Sequence, residues 1–173
     1  MASVLQPGEV AVDATVGNGH DTLFLAQQVG AQGHVYGFDI QEEALARTRR
    51  RLEEAGLRDR VTLLQMGHEH MAEAVPAAWH GRIGAVMFNL GYLPGGSDRT
   101  CITRPQTTVP ALEAALRLLR PGGVLTVVAY RGHPGGPKRP KPCGNGPKRS
   151  TPTASWPPVM PSATDGDRRR NCS

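Results

Sequence analysis

At 173 residues the chain has room for one domain, or one domain with a tail, and its three cysteines, odd in number and without a Cys-x-x-Cys pair, exclude a disulfide framework and argue against structural zinc. No apolar run reaches the roughly 18 residues of a membrane span and the first residues carry no basic leader, so a soluble, cytoplasmic protein with no membrane partner is expected. The net charge of +5 is uneven: residues 1–131 hold 12 Arg, no Lys and 13 acids, a net −1, while residues 132–173 hold +6, so the basic character belongs to the tail and gives no ground for a nucleic-acid patch elsewhere.

In chain order, apolar runs predict strands over 9–14, 34–39, 61–66, 83–89 and 123–130. Helical patterns fall over 21–30, 41–55, a short stretch near 69–75, and 105–119. In the second helix Leu45, Leu52 and Ala55 share one side, with Glu42, Arg49, Arg50 and Glu53 on the other. Leu112, Leu116 and Leu119 repeat the pattern before Arg120-Pro-Gly-Gly123, which reads as a helix stop and turn. The alternation implies an α/β fold with a mainly parallel sheet. Beyond Gly136 periodicity ends, and 9 of the 15 prolines fall after residue 131. The chain is therefore expected to divide into a folded domain over 1–136 and a Pro-rich, basic, disordered tail over 137–173. A frame shift near Gly136 is the sharper explanation of that change, and retranslating the encoding DNA in the other two frames tests it.

The stretch Asp13-Ala-Thr-Val-Gly-Asn-Gly-His-Asp-Thr22 joins the first strand to the first helix. Gly17 and Gly19 let the backbone turn sharply and a ligand lie against it, while the helix start aims free N–H groups over the turn. Asp39 closes the second strand about 20 residues on, where a carboxylate can accept both hydroxyls of a ribose. This spacing suits NAD, FAD or S-adenosylmethionine alike. Thr22 stands where the nicotinamide fingerprint wants a third glycine, which leans away from dinucleotides.

Four segments together carry a resemblance: Asp13-Ala-Thr-Val-Gly-Asn-Gly-His-Asp-Thr-Leu-Phe-Leu25, Gly37-Phe-Asp-Ile-Gln41, Phe88-Asn-Leu-Gly-Tyr-Leu-Pro-Gly-Gly96 and Gly132-His-Pro-Gly-Gly136. In this order they resemble the family once called rRNA methylases, also known as YtqB- or MnmM-like, over about residues 5–136. The resemblance implies a Rossmann-like S-adenosylmethionine-dependent methyltransferase fold and a tRNA partner. It further implies methylation of the amine of 5-aminomethyluridine at the tRNA wobble position. Two departures stand out. The family's further upstream helix is missing before Leu5, and the proline-rich tail replaces its last helix and strand pair. Without those strands Val124–Tyr130 is expected at an exposed apolar edge.

The resemblance implies that Gly17, Asn18 and Gly19 line the methionine end of the cofactor, with Asp13 near its amino group. Asp21 and Thr22 either cap the helix or touch the cofactor. Asp39 reads ribose, and Gln41 adds a second hydrogen bond or simply faces solvent in the first turn. Met66-Gly-His-Glu-His70 follows the third strand, where His68 is the best adenine-side contact, and Met66 offers packing where many relatives have an acid. The His68-x-His70 pair has no third ligand in view, so a solvated loop is expected in preference to a metal site. Asn89 can accept from the attacking amine, and Tyr92 can stack on a base or rim the pocket. His133 can influence or accept the proton of that amine.

Competing readings remain. One is a methyltransferase for another RNA, such as rRNA, or for a small amine. Another is a truncated remnant without catalysis, and a nicotinamide oxidoreductase ranks last. A homodimer is a possible assembly. The basic tail would bind RNA without specificity and with strong salt dependence.

Overall fold

The computed structural model describes residues 4–91, 93, 95, 96 and 103–129. Five strands, β1 (Val10–Asp13), β2 (His34–Asp39), β3 (Val61–Gln65), β4 (Ile83–Leu90) and β5 (Leu119–Ala129), alternate with helices. These are α1 (His20–Gln28), α2 (Glu42–Glu54), α3 (Met71–Ala74) and α4 (Pro105–Leu118), with short 3-10 turns between. The strands form one sheet in the order β3-β2-β1-β4-β5, every neighbouring pair parallel. Strand order reverses between β1 and β4, so the chain leaves β1 toward β2 on one side while β4 lies on the other. A crevice forms outside the carboxyl ends of the strands at such a reversal.

Alternation along the strands divides the core between two faces. Val10, Val12, Val86 and Phe88 pack with Met71, Val75 and the α4 residues Ala111, Ala114, Ala115 and Leu118. Ala11, Val35 and Ala85 pack with Leu25, Ala26 and Val29 of α1 and Leu52 of α2. Covering both faces explains why β1 is buried at all four positions and why its sequence shows no polar alternation.

Three details depart from the sequence pattern. In α4 the inner face is Ala111, Ala114, Ala115 and Leu118, whereas Leu116 is 64% exposed. The large apolar side chains suggested another phase, but small alanines set close against the sheet decide it. Ala55 is exposed as the C-cap of α2 and does not join Leu45 and Leu52 in the core. The Arg120-Pro-Gly-Gly123 segment does not precede the last strand but bulges from it. Leu119 pairs with Ile83, and pairing resumes at Val124 with Ala85. Gly122 takes the left-handed conformation (φ +72°) that the excursion requires.

Candidate functional site

The chain after β1 stays bonded to both neighbouring strands. Ala14 N–H donates to the Met87 carbonyl (2.8 Å) and Val16 N–H to that of Phe38 (3.0 Å), holding the turn over the strand-order reversal. Gly17 (φ +52°) and Gly19 (φ +76°) both adopt left-handed conformations. They serve different ends. A Cβ on Gly19 would lie 2.4 Å from Thr48 Oγ1, so α2 fills that space. A Cβ on Gly17 would meet nothing nearer than Leu93 Cδ1 at 3.7 Å, so this glycine faces the room above the turn.

Gly19 is the N-cap of α1, with no side-chain cap bond, so neither Asp21 nor Thr22 caps the helix. Thr22 instead donates its hydroxyl to Asp13 Oδ2 (2.6 Å), and Asp13 Oδ1 accepts from Thr15 N–H (3.1 Å). Asp13 is 1% exposed, and burial pushes its pKa up to about 6 against the pull of those bonds. Asp39 Oδ2 accepts from Gly17 N–H and Oδ1 from Gln41 N–H, both at 2.9 Å, linking the ends of β1 and β2. Burial raises the Asp39 pKa while these bonds oppose the rise. Half-buried, its oxygens keep further acceptor capacity. Gln41 is the N-cap of α2, one place before the first turn.

Residues of α2 that the sequence pattern passed over brace the turn. Arg47 donates from Nη1 to Asn18 Oδ1 (3.1 Å) and from Nη2 to the Gly95 carbonyl (2.8 Å), besides pairing with Glu43. Arg51 Nε donates to the Asn18 carbonyl (3.1 Å), and Thr48 Oγ1 to that of Gly17 (3.3 Å). Leu93, buried, is the atom group nearest to Gly17 across the turn.

Beyond β3 the expected solvated loop is a 3-10 turn, His68–His70, leading into α3, and of its two histidines only His70 is exposed. His68 is 7% exposed, its ring set edge-on to Phe88 with centroids 5.6 Å apart. Burial lowers its pKa, and with Nδ1 at 3.2 Å from the Ala14 carbonyl the neutral ring carries its proton on Nδ1. Nε2 is then a buried lone pair with no hydrogen-bond partner among the described residues. At the end of β4, Asn89 N–H donates to Thr15 Oγ1 (2.7 Å), and Asn89 Nδ2 donates to Asp21 Oδ2. Asp13, Gly17, Asn18, Asp39, His68 and Asn89 therefore meet along one end of the sheet. Tyr92 and His133 lie outside the described residues.

A parallel sheet in this order, with a glycine turn at its strand-order reversal and an acid closing β2, defines a Rossmann-like domain of the S-adenosylmethionine-dependent methyltransferase fold. Residues 35–141 match the family model described as "Putative rRNA methylase", and the chain belongs to that family. It is 45% identical over 141 residues to the "tRNA (mnm(5)s(2)U34)-methyltransferase, chloroplastic" of Arabidopsis thaliana. That match spans 77% of this chain and 50% of the plant protein, so the chain covers half the length of this relative. A crystal structure of a "putative rRNA-methylase" from Clostridium thermocellum is 49% identical, with a TM-score of 0.71 over 76% of this chain and 68% of that one. A "putative methyltransferase" from Streptococcus mutans, solved in complex with SAH, is 40% identical, with a TM-score of 0.63 over 73% of this chain and 65% of that one. Among the described residues no helix is long and apolar enough to cross a membrane.

Proposed function

We propose that the chain binds S-adenosylmethionine and methylates the amine of 5-aminomethyluridine at the tRNA wobble position in the cytoplasm. Its working unit is residues 1–136, apart from the basic segment 137–173. The observation that carries the cofactor assignment is the Nε2 of His68, a buried acceptor without a hydrogen-bond partner among the described residues. A buried lone pair calls for a donor, and the exocyclic amine of adenine is one. Asp39 supplies acceptors for a ribose diol, and Gly17 leaves room above the turn. The residues fit the cofactor.

In this reading Asn18, Gly17 and Gly19 shape the methionine end, and Asp13 with Thr22 forms its buried floor. Gln41 flanks the ribose. When bound, S-adenosylmethionine supplies an electrophilic methyl group on a sulfonium, a strong leaving group. Alignment then does most of the catalysis. Asn89 Oδ1 accepts from the amine and directs its lone pair at the methyl carbon. The nitrogen forms the new N–C bond as the C–S bond breaks, the electron pair staying on sulfur. The secondary ammonium gives up one proton, and His133 is the proposed group near it. Tyr92 is proposed to stack on the base. The chloroplastic relative supports tRNA as the substrate class, and the family's description supports rRNA as the second reading.

The test uses the full chain with methyl-labelled S-adenosylmethionine and two RNAs. One is tRNA whose wobble uridine stops at the 5-aminomethyl stage, and the other is unmodified rRNA. Label recovered as 5-methylaminomethyluridine supports the proposal. Label in rRNA alone overturns the substrate in favour of the second reading. Saturable SAH binding without transfer to either RNA identifies a binding remnant.

A further inference from the structure

We propose that Thr15 and Asp21 are positioning residues that fix which end of the Asn89 amide faces the methyl acceptor, an inference that rests on the role proposed above for Asn89. An asparagine side chain presents an acceptor oxygen on one side and a donor nitrogen on the other. Only the oxygen can accept from an attacking amine; the nitrogen would compete for the same lone pair. The two ends are near-isosteric, so the surroundings must choose between them.

Asp21 makes that choice. An ionised carboxylate accepts and cannot donate, so the contact between Asp21 Oδ2 and Asn89 is made by Nδ2. Oδ1 is thereby turned from Asp21. Thr15 fixes the other end of the residue, its hydroxyl accepting from Asn89 N–H at 2.7 Å. Thr15 is itself tied by its N–H to Asp13 Oδ1 (3.1 Å), and Asp13 is tied to Thr22 (2.6 Å). Every link in this relay except Asn89 belongs to the β1–α1 unit. The turn that holds Gly17 and Gly19 therefore also sets the angle of the group proposed to align the amine. Asp21 gains in addition from lying in the first turn of α1, where the helix dipole favours an anion.

The alternative is that Asp21 contacts the cofactor directly, and kinetics separate the two. Calorimetry with SAH and methyl transfer to tRNA bearing 5-aminomethyluridine are measured for Asp21→Leu, Asp21→Asn, Thr15→Val and Asn89→Ala in the full chain. As positioning residues, Asp21→Leu and Thr15→Val should hold SAH within about threefold of wild type while kcat falls roughly 10- to 100-fold. Asp21→Asn keeps an acceptor oxygen and should recover most of the loss. Adding Asp21→Leu to Asn89→Ala should slow it no further, because the group being aimed is gone. An unchanged kcat in Asp21→Leu, or an equal loss of SAH affinity and turnover, overturns the inference. If wild type binds SAH yet methylates no tRNA, the functional reading has failed while this one is still decided. The side-chain amide resonances of Asn89 must then move in Asp21→Leu with the Gly17 amide unmoved, and unmoved Asn89 resonances sink the idea.

Discussion

Gly17 and Gly19 stand two residues apart with the same sign of φ, yet a methyl group added to each meets a different neighbour. At Gly19 it would collide with Thr48 and force a left-handed alanine, together a loss of about 2–4 kcal/mol. At Gly17 only the backbone conformation is penalised, by about 1–2 kcal/mol, and the methyl would intrude on the proposed cofactor space. Urea titration should therefore rank Gly19→Ala as the less stable variant, and SAH calorimetry should rank Gly17→Ala as the weaker binder relative to its stability. Equal urea midpoints would mean that Thr48 swings aside. Asp13 makes a prediction in pH. Its folded-state pKa of about 6 lies above the ordinary 3.8, so between those values the folded chain holds a proton that the unfolded chain has released. Stability then falls as pH rises through that window, by about 3 kcal/mol in full. Asp13→Asn removes the titration while an amide can still bond Thr15 and Thr22. Its stability relative to wild type should climb between about pH 4 and pH 6.5 and be level outside that range. A difference that does not change with pH would refute the buried titration.

At the level of elements, α2 does more than cover a sheet face. Its amphipathic pattern sorts Leu45 and Leu52 inward and Arg49 and Arg50 outward, and this much was legible in the sequence. Nothing in a periodicity says that Arg47 and Arg51, on the flank between those faces, and the buried Thr48 reach the glycine turn some thirty residues earlier in the chain. Such contacts are set by how the helix docks, which depends on the whole β1–α1–β2 unit. The strand ends were legible for the opposite reason: a glycine turn and a closing acid act through residues contiguous with them. The phase of α4 was misread because alanines carry little weight in a hydrophobic pattern yet allow the closest packing. Arg47 offers the sharpest test at this scale, since it joins Asn18 to the Gly95 carbonyl across the turn. Arg47→Met keeps the stem and removes the fork, and should weaken SAH binding by about three- to tenfold with helix content retained. Undiminished affinity would show that Gly95 and Asn18 hold their places without it.

Over the whole molecule, the reversal of strand order at β1 puts the described candidate groups at one end of the sheet, and it leaves β5 as the outer strand among the described residues. The sequence anticipated an apolar edge here, and the structure gives it particular residues. Val127 and Val128 are each 45% exposed, and adjacent strand residues point to opposite faces, so both faces are open at that end of β5. Unpaired strand backbone beside exposed β-branched side chains is a template for pairing with another chain. The expected consequence is concentration-dependent self-association through the outer edge of β5, whose Val127 and Val128 pair with Phe88 and Asn89 of β4. Replacing Val127 by Thr and Val128 by Lys keeps β propensity at the first position and places a charge on the edge at the second. The double variant should stay monodisperse in light scattering to clearly higher concentration than wild type. Its urea midpoint should move by no more than about 1 kcal/mol equivalent, because neither side chain is in the core. SAH affinity should be unchanged. If scattering rises with concentration as steeply as in wild type, association runs through another surface, and the exposed Leu116 and Val109 of α4 become the next residues to replace.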